Sequence, residues 1–194
     1  MVAVEAARSG PSADHWIRRA VRLRLDLDAF DDARFLPYLL RCRRSGIDFT
    51  SMAGLGDAAG CRRSLYELDK TCSADIPDRG EFYTFGEYLR QRLNPPGYDP
   101  RGVILALSES RWVGMAATSL RPEEDCAVSD MTGVLPGYRG RGISVAMKLL
   151  AIGYARSNGV RWLYTLHHPA SAAAIGMNRR LGFADYDPRA CRPP

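Results

Sequence analysis

The chain has 194 residues and a mass of 21.5 kDa, with 46% hydrophobic and 25% charged residues. That mix supports a single globular domain and excludes a largely disordered, collagen-like or disulfide-scaffold chain. The net charge of +5 and pI of about 9.1 suit an anionic partner, whether nucleic acid, membrane or cofactor, although only Lys70 and Lys148 of the 27 basic residues are lysine, a bias that GC-rich coding alone produces.

Residues 1–14 mix Gly, Ser, Pro and Ala with single charges and predict a flexible tail, leaving 15–194 as one domain. Val21, Leu23, Leu25 and Leu27 alternate with Arg22, Arg24, Asp26 and Asp28, the period of a half-buried strand. Asp31 or Asp32 is then expected to cap a helix carrying Phe35, Leu39 and Leu40 and stopping near Gly46. A short strand at 47–52, a helix over 57–72 and a short helix over 85–93 follow, the last ended by Asn94-Pro95-Pro96-Gly97. Three consecutive strands are predicted at 103–107, 112–120 and 126–135. A glycine-rich turn, Gly137–Gly142, leads into a helix with Ile143, Ala146, Met147, Leu150 and Tyr154 on one face. The doubly apolar run 160–166 predicts a buried strand, followed by a helix over 170–181 and a last short strand at 183–186.

Five scattered cysteines, Cys42, Cys61, Cys72, Cys126 and Cys191, form no C-x-x-C pair. Free thiols in a reducing compartment are expected, with no zinc site and no metal. No signal-like segment and no apolar run near the ~20 residues of a membrane span is visible, so the expectation is a soluble cytoplasmic protein.

The segment T-G-V-L-P-G-Y-R-G-R-G-I-S, Thr132 to Ser144, places a strand, a Gly/Arg turn and a helix start in succession. The first N–H groups of a helix lack internal partners and sit at its positive end, so a phosphate belongs there. Arg139 and Arg141 add guanidinium groups able to grip phosphate oxygens. The pattern is neither a Walker loop nor a complete dinucleotide fingerprint, because Val145 stands where the third glycine would be. Val134 to Ile143 resembles the acetyl-CoA pyrophosphate loop of the GNAT superfamily of N-acetyltransferases, R/Q-x-x-G-x-G/A, with Arg139, Gly142 and Ser144 in the matching places. Asn178-Arg179-Arg180-Leu181-Gly182-Phe183 resembles the end of that family's last helix.

The resemblance implies an α/β fold: a mixed, mostly antiparallel six- to seven-stranded sheet flanked by helices. It also implies an acyl-CoA-dependent, most simply acetyl-CoA-dependent, N-acyltransferase that attacks the thioester directly with the amine of a small molecule. Backbone groups of Thr132, Gly133 and Val134 would bind the pantetheine arm. The amides of Arg139, Gly140, Arg141, Gly142, Ile143 and Ser144 would hold the pyrophosphate, and Ser171 takes a place where the family often has Asn. Asn178 stands where the family often has the Tyr that protonates the leaving thiolate, and an amide has no useful pKa for that task. Asn178 would orient the thioester, or bond backbone at the helix end. Asp130, read as sharing a strand face with Thr132 and Val134, is the candidate base, with His167, His168 or relayed water as alternatives. Asp48, Asp75, Asp78 and Glu81, with Tyr66, Tyr83 and Tyr88, are candidates to meet the amine.

After Phe183 the chain has room for one strand where the family usually has two, so the last edge is open, covered by a helix, or supplied by a second subunit in a homodimer. Two other readings stand beside the enzyme: an acyl-CoA-binding protein without activity, suggested by Asn178, and a nucleic-acid binder, which the alternation of arginines with acids disfavours.

Overall fold

The computed structural model describes residues 19–187, so the tail expected over 1–14 lies outside the described residues. Strand β1, Val21–Asp26, buries Leu23 and Leu25 and keeps the residues between them half-exposed, as its period requires. Helix α1, Leu36–Arg44, starts without a side-chain cap. The expected aspartate cap is corrected here. Asp31 accepts from the Ala33 amide and the Asp32 carbonyl accepts from Phe35 and Leu36, so the aspartates build the turn before the helix. Leu39 and Cys42 face the core, whereas Leu40 stays 45% exposed.

Strand β2, Ile47–Ser51, precedes helix α2, Ala59–Cys72, and helix α3, Phe85–Tyr88, which Thr84 and Glu87 start with a capping box. Helix α3 continues as a π-helical turn over Leu89–Leu93, closed by the Asn94 amide on the Leu89 carbonyl. Strands β3, Val103–Ser108, β4, Arg111–Arg121, and β5, Cys126–Val134, form a meander. Helix α4, Ile143–Ser157, strand β6, Trp162–His167, helix α5, Ala172–Arg180, and strand β7, Ala184–Asp185, complete the chain.

The strands make one seven-stranded sheet in the order β2-β3-β4-β5-β6-β1-β7, antiparallel except for β5 and β6. Helices α1, α4 and α5 contribute to one core cluster and α2 and α3 to a second, on the opposite face of the meander. The place expected to lack a strand is filled from within the chain. Strand β1 runs the full length of β6, from Val21 opposite His167 to Asp26 opposite Trp162, and carries β7 on its other side. That position is filled without a second subunit, while among the described residues β7 pairs with only Leu23 and Arg24 of β1.

Strand β1 thus belongs to the core and is not an appendage. Truncating Leu23, which is 0% exposed, to alanine should destabilise the protein by about 2–5 kcal/mol. A urea midpoint unchanged from wild type would show that β1 contributes nothing.

Candidate functional site

The turn after β5 begins with a short 3-10 segment, Pro136–Tyr138, and reaches α4 through Arg139–Gly142. Gly142 occupies the position before the helix with φ +81, and a Cβ there would lie 2.8 Å from Cδ1 of Tyr38. Both the backbone conformation and the approach of α1 therefore require glycine. Among the described residues, the amides of Gly140, Arg141, Gly142, Ile143 and Ser144 donate to no acceptor in the chain. They stand at the positive end of a helix of 15 residues. Unmet donors in this arrangement fit a pyrophosphate. The two arginines brace the loop: Arg139 Nε donates to the Val134 carbonyl and its guanidinium pairs with Asp75 at 2.7 Å. Arg141 donates to the Gly137 carbonyl and stacks on Tyr138.

The second feature is the parting of β5 and β6. They pair in parallel from Cys126 opposite Trp162 to Ser129 opposite Thr165, and the pairing stops there. On the other side β5 remains paired to β4, but the register shifts: Met131 faces Ala117 and Ser129 faces Thr118, leaving Asp130 with no opposite residue. A bulge of this kind bends the strand. Beyond it, among the described residues, Asp130–Val134 run with no ladder partner on the β6 side, so Thr132, Gly133 and Val134 present an unpaired backbone edge there.

The bulge also corrects the expected face of Asp130. Val134 packs in the cluster with α4, and the Cβ direction of Gly133 meets Cys72 of α2. Asp130 lines a narrow cavity of about 70 Å³ with Asp69, Tyr88, Arg92, Thr118 and Ser119, on the α2/α3 face. It therefore does not share a face with Val134, because the inserted residue resets the alternation. Of the expected amine contacts, only Tyr88 lines this cavity, its hydroxyl donating to Asp69 at 3.0 Å. Tyr66 donates to the Tyr83 carbonyl, Asp75 pairs with Arg139 and Asp78 with His168, and Asp48 and Glu81 are exposed.

Polar side chains gather where the strands part. The Lys148 ammonium, 1% exposed on α4, donates to Ser129 Oγ at 2.5 Å, and Thr165 Oγ1 donates to the Ser129 carbonyl. Asn178 is 0% exposed; its amide nitrogen donates to the Ala174 carbonyl at 3.1 Å and meets His167 Nε2 at 2.8 Å. Asn178 Oδ1 and Thr132 Oγ1 are buried without a partner among the described residues. His168 accepts from the Ala170 amide and contacts Asp78 at 3.3 Å. Ser171 sits at the start of α5 with no side-chain cap bond. The helix face through Ser171, Ala174, Asn178 and Leu181 turns inward at its far end, where Leu181 joins the core. Lys148 and Arg92 escaped sequence reasoning. The only signal for Lys148 was one charge inside the apolar run 145–153.

The model of the acetyltransferase (GNAT) family matches residues 62–183. A mycothiol acetyltransferase of Thermobispora bispora is 29% identical over 121 residues, which is 60% of this chain but 40% of that protein. The chain thus spans well under half the length of this curated relative. Among solved structures, the GCN5-related N-acetyltransferase from Sphaerobacter thermophilus is similar with a TM-score of 0.60 at 18% identity, over 86% of this chain and 48% of that one. A chain of the NatC complex bound to Gag peptide and CoA matches with a TM-score of 0.58 at 18% identity, over 73% of this chain and 86% of that one. At these identities the structures speak for the fold alone.

Burial lowers the Lys148 ammonium to about 7, with Asp130 opposing the shift. In the unfolded chain the amine keeps its proton to about pH 10. Between those values the unfolded state binds the extra proton, so this group makes stability rise with pH over that window. Denaturant titrations from pH 7 to 9.5 should show that rise in wild type relative to Lys148→Met. Parallel curves would rule out the shift.

Proposed function

The chain belongs to the acetyltransferase (GNAT) family, and we propose that it transfers an acyl group, most simply acetyl from acetyl-CoA, to the amine of a small molecule. The observation that carries this reading is that the unmet amides of Gly140–Ser144 follow, across one turn, a stretch Thr132–Val134 whose β6 side has no ladder partner among the described residues. The first set suits a pyrophosphate and the second suits an amide-bearing arm laid in as an extra strand.

Asp130 is the bulged residue next to the end of the β5–β6 pairing, and it lines the cavity. There its carboxylate accepts a proton from the amine as nitrogen attacks the thioester carbon. N–H groups of the unpaired β5 edge stabilise the oxygen that gains charge, and the C–S bond then breaks. Asn178 spends its amide hydrogens on Ala174 and His167. It therefore positions His167 instead of giving a proton, and the leaving thiolate takes its proton from water. His168, engaged by Asp78 and the Ala170 amide, is a weaker candidate for base than Asp130. The free thiols Cys42, Cys61, Cys72 and Cys126 are consistent with a reducing, cytoplasmic setting. A second reading, acyl-CoA binding without turnover, is favoured by Asn178 in the tyrosine's place. It requires that no amine release CoA while acetyl-CoA still binds.

Two variants separate the parts of this reading. Ser144→Glu places a carboxylate at the positive helix end, which suits the helix but repels a pyrophosphate. Calorimetry should find acetyl-CoA binding lost with thermal unfolding unchanged, and retained binding would remove the loop from the cofactor site. Asp130→Asn should lower kcat by roughly 100-fold with acetyl-CoA affinity kept. Unaltered turnover would exclude Asp130 as the base.

A further inference from the structure

The cavity on the α2/α3 face holds more recognition chemistry than proton removal needs. Arg92 enters it from the π-helical turn Leu89–Leu93, a wide turn that often accompanies functional positions. The residue is half-buried, and among the described residues its guanidinium makes no hydrogen bond and no ion pair within 4.0 Å. The opposite charges it senses most are Asp130 and then Asp69, both across the same cavity. Two hydroxyls on the β4 wall, Thr118 Oγ1 and Ser119 Oγ, are also buried with no partner among the described residues, and Thr118 is 3% exposed.

Unmet buried polar groups are costly, so such a set implies a ligand that meets them. A planar guanidinium presents paired donors matched to a carboxylate, hydroxyls accept or donate, and Asp130 accepts from an amine. The cavity, about 70 Å³, has room for an amino acid head group. We propose that the acyl acceptor is an amino carboxylate, its amine at Asp130 and its carboxylate held by Arg92 with help from Thr118 and Ser119. This rests on the acyltransferase reading above and specifies the substrate class of the same site. Arg92 is then a specificity residue.

The test compares CoA release from acetyl-CoA with a panel of amino acids, each paired with its carboxamide, alongside simple alkyl amines. Wild type should favour at least one free carboxylate over its carboxamide by roughly tenfold or more in kcat/KM. Arg92→Gln should erase that preference while KM for acetyl-CoA is unchanged, and Arg92→Lys, which keeps charge but loses the fork, should fall between them. Equal use of carboxylate and carboxamide by wild type, or a preference that survives Arg92→Gln, overturns the proposal while leaving acyl transfer to amines intact. Should no amine turn over, calorimetry of the same panel against the CoA-saturated protein decides. Binding to wild type that Arg92→Gln abolishes supports the carboxylate site even as the transfer reading fails, and no binding to wild type overturns it.

Discussion

Everything chemical in this molecule depends on two parallel strands that stop pairing. Between Ser129 and Thr165 the β5–β6 ladder ends, and one surplus residue, Asp130, lets β5 stay joined to β4 while it turns away from β6. A strand edge inside a sheet is an unusual object, because its N–H and C=O groups are neither paired nor on the outer rim. Here that edge points toward the start of α4, whose own amides are unmet. Both sets of free backbone groups flank the one turn, residues 135–139, that joins β5 to α4. The buried polar cluster of Lys148, Ser129, Thr165 and Asn178 sits where the strands separate. Polar groups there replace the ladder bonds that the splay gives up.

Much of this was legible in the sequence, for identifiable reasons. Strand and helix periods placed most elements, and the stretch Thr132–Ser144 marked strand, turn and helix start because its glycines break the apolar pattern between an alternating run and a 3/4-spaced one. The bulge was not legible. Ser129, Asp130, Met131 and Thr132 alternate no differently from a regular strand, and the extra residue exists only relative to β4. The face expected for Asp130 therefore differs from the one it occupies. The position of β1 was equally hidden: alternation identifies a strand but not its neighbours. Arg92 depends on a π-helical turn, which no residue pattern announces.

Part of the arginine content that first suggested a polyanion is engaged locally. Arg62 pairs with Asp57, Arg156 with Asp32, Arg161 with Asp26, and Arg179 with Asp185. Arg24 lies over Trp162 and Arg63 over Phe85. Exposed pairs of this kind add little stability. Guanidinium also explains what the scarcity of lysine permits. Arginine keeps its charge at any physiological pH, whereas the buried Lys148 is the basic side chain that burial brings toward neutrality. One of the chain's two lysines thus sits where titration has a structural effect.

The insertion of β1 between β6 and β7 has a consequence for how the chain assembles. Val21 is matched with His167, so β1 is synthesised well before the strand it pairs with. Pairings so distant in sequence carry a large loop-closure cost and slow folding. The meander β3–β5 and its helices can order first, while β1, with alternate leucines to hide, remains unpaired until β6 leaves the ribosome. During that interval its exposed edge is the segment most open to pairing with another copy. Handling of the nascent chain, more than the stability of the finished sheet, would then govern the yield of native protein.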